Sequence, residues 1–302
     1  MNQLVMSFMS LVLVLSFSSA ARAADSFPWE NFKTLETYGD SITAGFFANR
    51  DLSDNLTVAQ LKKTMTDVLL TLHRVSRIEK FDRRDLAWPA KLVDRVNVKG
   101  LKLVNHAQTG ATVLGLLSQV KQVKGVEAKA VAFFFIGHND VCKRPFKGTT
   151  GFRDFYSDHF DKAIREWSER HKDSLAFLVP IVDVGVVMDT LWKYEWTKGE
   201  TCRDTYLHHA PMMCPLIARH IDDGKKDYSK KRTASINDYL KELPQDKELK
   251  LKSNNRLIFL EHGDDFDMTA KKFAIDCFHL NEDGQLEIAK AVQSAVEKIF
   301  LR

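Results

Sequence analysis

The sequence predicts an α/β protein built on a parallel sheet, and two observations carry this. Five short apolar runs have the length of buried strands: Thr34–Tyr38, Leu101–Asn105, Ala130–Ile136, Leu175–Pro180 and Leu257–Glu261. Between them lie longer segments with apolar residues at helical spacing. Strands that alternate with helices imply right-handed crossovers, and in such sheets the active site forms at the carboxyl edge. The chain has 302 residues, 44% hydrophobic and 28% charged, so it can bury one sizeable core and is neither disordered nor collagen-like. Net charge is only +4, from 44 basic and 40 acidic residues, too weak an excess to imply a nucleic-acid partner.

Taken in order, residues 1–23 are expected to lie outside the fold. Leu4–Phe17 is almost wholly apolar but falls short of the roughly 20 residues a membrane span needs. Ala21-Arg22-Ala23 fits the small-x-small cleavage pattern of an export signal, although no Lys or Arg precedes the apolar run. A secreted or periplasmic protein of residues 24–302, folded as a single domain, is the expectation. After the first strand, Phe46–Ala87 is read as a helical insertion, with Val58, Leu61, Met65, Val68, Leu69, Leu72 and Val75 on one face. Such a helix either packs on the body or lies over the site as a lipid-facing lid.

Three further helices follow from spacing. Leu114, Leu117, Val120 and Val123 form one face; Phe152, Phe155, Phe160, Ile164 and Trp167 a second; Leu286, Ile288, Ala289, Val292, Val296 and Ile299 a third. Trp88-Pro89 opens the helix before the second strand. Asp183–Asp227 exceeds a minimal crossover and contains Trp192, Tyr194, Trp196, Met212 and Met213. It also carries two of the four cysteines, Cys142, Cys202, Cys214 and Cys277. An even number in an exported chain favours two disulfides. Cys202 and Cys214 are close in sequence and flank a loop-like segment, so Cys202–Cys214 is expected, which leaves Cys142–Cys277. No cysteine or histidine spacing suggests a metal site.

Three blocks carry chemistry. Tyr38-Gly39-Asp40-Ser41 places a serine directly after the first strand, where a hydroxyl can be presented at the sheet edge. Phe135-Ile136-Gly137-His138-Asn139-Asp140 follows the third strand and offers the Asn139 amide. Asp276-Cys277-Phe278-His279 sets an acid three residues before a histidine, so that Asp276 can fix the tautomer of His279. Taken singly, each reads as ordinary turn or cap chemistry; together they supply a nucleophile, a base, an orienter and an oxyanion donor.

With these blocks in place the sequence resembles the SGNH (GDSL) hydrolase superfamily of serine esterases and lipases. Gly39-Asp40-Ser41 resembles the nucleophile block, and Asn105-His106-Ala107-Gln108-Thr109-Gly110 the block whose last glycine gives an oxyanion N–H. Gly137-His138-Asn139-Asp140 resembles Gly-x-Asn-Asp, and Asp276-Cys277-Phe278-His279 resembles Asp-x-x-His. The strings through Val141-Cys142 and Leu280 look most like the phospholipase B-like branch. The resemblance implies a three-layer α/β/α sandwich with a five-stranded parallel sheet. It implies Ser41, His279 and Asp276 as a catalytic triad and the Ser41 N–H, Gly110 N–H and Asn139 side chain as oxyanion donors, with no metal or organic cofactor. Asp40 and Asp140 are expected to support their loops. His138 departs from the family pattern and is expected to point to solvent.

Three readings of function follow. The first is a hydrolase of lipid acyl esters, of phospholipase or lysophospholipase type, with peripheral contact to a membrane. The second is a carbohydrate O-acetyl esterase, with Trp192 and Trp196 stacking on sugar rings. The third is a non-catalytic binding protein on the same fold. Acyl chain-length preference separates the first two, and reaction at Ser41 separates both from the third.

Overall fold

The computed structural model describes residues 26–49, 63, 81–143, 150–197, 199–209, 214–225, 227–266, 269–274 and 276–301. The expected export segment, and the helical face expected from Val58 to Val75, lie outside the described residues. Among the described residues no helix is long and apolar enough to cross a membrane.

All five expected strands form: β1 (Thr34–Gly39), β2 (Lys102–Asn105), β3 (Ala130–Phe135), β4 (Leu175–Leu178) and β5 (Arg256–Phe259). They make one parallel sheet in the order β2-β1-β3-β4-β5. β1 and β3 are interior strands covered on both faces; β3 is an unbroken apolar run, whereas β1 also buries Glu36 and Thr37. The last residues of the two strands, Gly39 and Phe135, pair with each other. The chain therefore leaves both strands at the same level, and the residues after them become neighbours.

Among the described residues the α-helices of four residues or more, in chain order, are α1 (Ser41–Ala44), α2 (Trp88–Val96), α3 (Val113–Val120), α4 (His138–Lys143), α5 (Thr150–Arg170), α6 (Val184–Leu191), α7 (Pro215–Asp222), α8 (Asp227–Glu242) and α9 (Glu282–Phe300). α2 and α9 pack together on one sheet face, and α3, α5 and α8 cover the other. The alternation of the strands decides which side chains meet which layer. Trp88 of α2 meets Phe133 edge-on at 5.7 Å. The next residue, Phe134, points the opposite way and meets Phe160 and Trp167 of α5 at 5.9 and 6.1 Å. Trp88, Trp167, Phe133, Phe134 and Phe160 are all fully buried, and side chains of this size contribute about 1.5–3 kcal/mol each on burial. The three-layer α/β/α sandwich with a five-stranded parallel sheet is the observed fold.

One helical face is rotated from expectation. α3 buries Val113, Leu116, Gln119 and Val120, while Leu114 is 46% exposed. The cause is polar: the Val113 N–H donates to Asp140 Oδ2 at 2.9 Å, and Gln119 must reach β1. A count of apolar residues alone cannot detect either constraint.

Candidate active site

The nucleophile turn is assembled from glycine and aspartate. A Cβ on Gly39 would lie 2.5 Å from the Phe135 carbonyl oxygen, so only glycine lets β1 stay paired with β3 at its last position. Asp40 then caps α1, its Oδ1 accepting the Ile42 N–H at 3.1 Å. The helix runs only to Ala44 because Gly45 adopts a left-handed conformation at φ 73°. Ser41 is thus the first residue of a one-turn helix at the carboxyl edge of a central strand, and it is 5% exposed.

His279 Nε2 lies 2.8 Å from Ser41 Oγ. On the other side of the ring, Nδ1 lies 2.6 Å from Asp276 Oδ2. An ionised carboxylate can only accept, so Nδ1 carries the proton and Nε2 is left to accept from the serine hydroxyl. The remaining oxygen of Asp276 accepts the N–H groups of Phe278 and His279 at 3.0 and 2.9 Å. The carboxylate is completely buried and satisfied from its own turn, which fixes both ring and acid. Phe46 and Phe278 flank the imidazole, with centroids 4.8 and 5.1 Å away. The arrangement matches what is required to remove a proton from Ser41 during attack on a carbonyl.

The segments expected to supply oxyanion donors also converge. Asn139, at the start of α4, donates through Nδ2 to the Ala111 carbonyl at 2.9 Å. That bond ties the Asn139 amide to the loop of Gly110, an exposed residue at φ 79°. Asn105, at the end of β2, donates from Nδ2 to the Thr43 carbonyl at 2.8 Å and accepts the Ala107 N–H through Oδ1 at 3.0 Å. The Asn105–Gly110 block is therefore bonded directly to the nucleophile turn. Asp140 supports its loop, as expected, by capping α3.

Two groups that position the site escape sequence reasoning. Gln119 spans Gly39 with both ends of its amide: Oε1 accepts the Gly39 N–H at 2.9 Å and Nε2 donates to the Gly39 carbonyl at 2.8 Å. A glutamine among the apolar residues of α3 is the signal that could have found it. The second is His138, which does not point to solvent. It is 3% exposed, and its Nδ1 lies 2.9 Å from Asp40 Oδ2.

The disulfides differ from the expected pairing. Cys142 is bonded to Cys214, and Cys202 to Cys277. Sequence proximity is a weak guide here, because each doubling of a loop costs only about 0.6 kcal/mol in closure entropy. Packing decides instead. α7 lies on α4 and brings Cys214 to Cys142, with Cα atoms 4.4 Å apart. The Tyr206 hydroxyl donates to the Cys277 carbonyl, in the segment that brings Cys202 within 5.6 Å of Cys277. Both cysteines of the excursion after β4 are thus bonded to segments of the candidate site, α4 and the Asp276–His279 turn. Within the excursion, Trp192 stacks on Tyr206 at 5.8 Å, with Arg203 6.0 Å from its centroid.

A small apolar hollow of about 20 Å³ lies next to the residues that follow Ser41 and precede His279. It is lined by Ile42, Val182, Val187, Phe266, Phe278 and Leu280 among others, with His138 in its wall. Ile42 and Phe278 adjoin Ser41 and His279 in the chain.

Among curated proteins, none matches this chain. Solved structures match it at distant similarity. A protein assigned to the G-D-S-L lipolytic family from Desulfitobacterium hafniense is 12% identical over 87% of this chain and 99% of its own, with TM-score 0.45. A psychrotrophic esterase from Pseudoalteromonas sp. is 13% identical over 88% of this chain and 98% of its own, with TM-score 0.43. An extracellular lipase from Streptomyces rimosus is 13% identical over 87% and 99%, with TM-score 0.41. The decisive likeness lies in the sequence itself: the family model for GDSL-like lipases and acylhydrolases matches residues 35–292, so the chain belongs to that family and is a carboxylic ester hydrolase.

Proposed function

We propose that this hydrolase is exported, with residues 1–23 as its signal, and cleaves acyl esters of lipids, as a phospholipase or lysophospholipase of the phospholipase B-like branch. The observation that carries the lipid reading is the apolar character of the residues next in the chain to Ser41 and His279, Ile42 and Phe278, and of the side chains gathered with them. An acyl chain gains about 0.8 kcal/mol for each methylene buried against such a surface, whereas a sugar would find few polar partners. Trp192, packed on Tyr206, lends the carbohydrate reading no support.

In the proposed mechanism, His279 Nε2 takes the Ser41 proton as Oγ attacks the ester carbonyl. Asp276 holds the Nδ1–H tautomer and stabilises the imidazolium that forms. Charge developing on the carbonyl oxygen is met by the N–H groups of Ser41 and Gly110 and by the Asn139 amide. His279 returns its proton to the leaving alcohol, and water, activated by the same imidazole, releases the acid from Ser41. The two disulfides support the reading of an oxidising compartment.

The test is a p-nitrophenyl ester series from acetate to palmitate on residues 24–302, with Ser41→Ala as blank. The expected result is Ser41-dependent turnover whose kcat/KM rises from acetate to medium or long chains. A sharp preference for acetate overturns the lipid reading in favour of deacetylation, and turnover that survives in Ser41→Ala removes the nucleophile.

A further inference from the structure

Ser41 stands between two Asp–His pairs, and only one of them has a part in the mechanism above. The other is Asp40–His138. His138 Nδ1 faces Asp40 Oδ2 at 2.9 Å and so donates to it. Its Nε2 lies 3.4 Å from the Val182 nitrogen, an N–H donor, and so accepts. Both ring nitrogens are used, in the neutral tautomer, and the ring is held edge-on against Phe135 at 4.8 Å. Asp40 is fully buried, with its other oxygen on the Ile42 N–H at the start of α1.

One imidazole therefore joins the loops that leave three adjacent strands. It is itself the first residue of α4, directly after β3 and next to Asn139. Through Nδ1 it holds the aspartate that caps the Ser41 turn. Through Nε2 it holds Val182, where the chain leaves β4 and builds the wall of the hollow with Val184 and Val187. A buried polar side chain that is fully satisfied fixes one arrangement of the segments it joins.

Resting on the lipid reading above, we infer that His138 is a positioning residue with two separable effects. Its Nδ1 sets the nucleophile turn, and its Nε2 sets the wall that measures the acyl chain.

The two ends can be removed one at a time. In His138→Asn the amide nitrogen replaces Nδ1 and nothing reaches Val182. In His138→Gln the amide oxygen replaces Nε2 and the donor to Asp40 is lost. Each variant is assayed for kcat and KM on p-nitrophenyl acetate and octanoate, with Tm measured alongside and Ser41→Ala as blank. His138→Gln is expected to lose roughly tenfold in kcat on both esters and to keep the octanoate-to-acetate ratio of kcat/KM. His138→Asn is expected to lose about threefold in kcat on acetate, while that ratio falls about fivefold through KM for octanoate. Equal losses on both esters in both variants, following Tm, would mean that His138 only stabilises the fold and would overturn the inference. Unchanged kinetics in both would overturn it too. A wild-type ratio that favours acetate, or turnover that survives in Ser41→Ala, instead brings down the functional reading on which the inference rests.

Discussion

Cys277 stands inside the Asp276–His279 turn and is bonded to Cys202, so the turn that carries the proposed acid and base is stapled to the excursion after β4. Cys277 itself has a left-handed backbone at φ 59°, a conformation that a residue with a Cβ holds only when its surroundings impose it. The bond and the Tyr206 hydroxyl on the Cys277 carbonyl supply that constraint. Removing the disulfide by Cys202→Ser with Cys277→Ser is expected to lower stability by about 2–5 kcal/mol. It should also reduce kcat at temperatures where the variant remains folded, because the Asp276–His279 geometry loosens. Circular dichroism melting and ester kinetics at 15 °C check both effects. Loss of stability with wild-type kcat would show that the staple plays no part in aligning the turn.

Asp276→Asn tests the tautomer argument. An amide nitrogen facing Nδ1 would donate, so the ring would turn its lone pair toward residue 276 and its proton toward Ser41. The serine proton then has no acceptor. A fall of about 10⁴-fold in kcat with little change in KM is expected. Activity within tenfold of wild type would mean that another group orients His279.

Asn139→Ala tests the oxyanion assignment. Charge gathers on the substrate oxygen only in the transition state, so kcat should fall about 10²–10³-fold while KM moves little. Part of the loss could arise from the Ala111 carbonyl, which Asn139 also binds. A melting temperature measured alongside the kinetics separates the two contributions, because the lost Ala111 bond lowers stability and the lost oxyanion donor does not. An effect confined to KM argues against the role.

Gln119→Leu takes the glutamine acceptor from the Gly39 N–H, while the Gly39 carbonyl keeps the Gln108 N–H at 3.2 Å. A buried polar group that loses its partner costs about 1–3 kcal/mol, so the variant should unfold at a markedly lower urea concentration. A midpoint equal to that of the wild type would mean that other groups take over the pairing.

β3 and β4 were legible because they are unbroken apolar runs buried on both faces. Ser41, directly after β1, and Asp276 and His279, three residues apart, were legible as a proposed triad because that chemistry leaves a local mark in the sequence. What the sequence hid depends on contacts between distant elements. His138 reads as a solvent-facing histidine until Asp40 and Val182 are seen around it. Leu114 reads as core until Asp140 and Gln119 fix the rotation of α3. The cysteines pair by the packing of α7 on α4 and of Tyr206 on Cys277, neither of which leaves a mark in spacing.

A buried ionic cluster beneath the sheet gives the last prediction. Glu36 of β1 is 2% exposed, with His171 Nε2 3.0 Å and the Tyr38 hydroxyl 2.5 Å from its Oε2. His171 Nδ1 donates to the Trp167 carbonyl at 2.7 Å, which holds the ring against the carboxylate. Burial alone would raise the Glu36 carboxyl; the hydrogen bond and charge of His171, then the Tyr38 hydroxyl, outweigh it and hold the group below its ordinary value of 4.5. A carboxyl lowered on folding stabilises the native state at pH values above its unfolded value, and that contribution is lost as pH falls through the folded value. Glu36→Gln should therefore cost about 3 kcal/mol at pH 7. The difference from wild type should shrink steadily as pH falls below about 4.5. Urea unfolding of both proteins between pH 7 and pH 3, disulfides intact, measures it. A penalty that is constant with pH, or grows in acid, would show that Glu36 acts by packing and not through its charge.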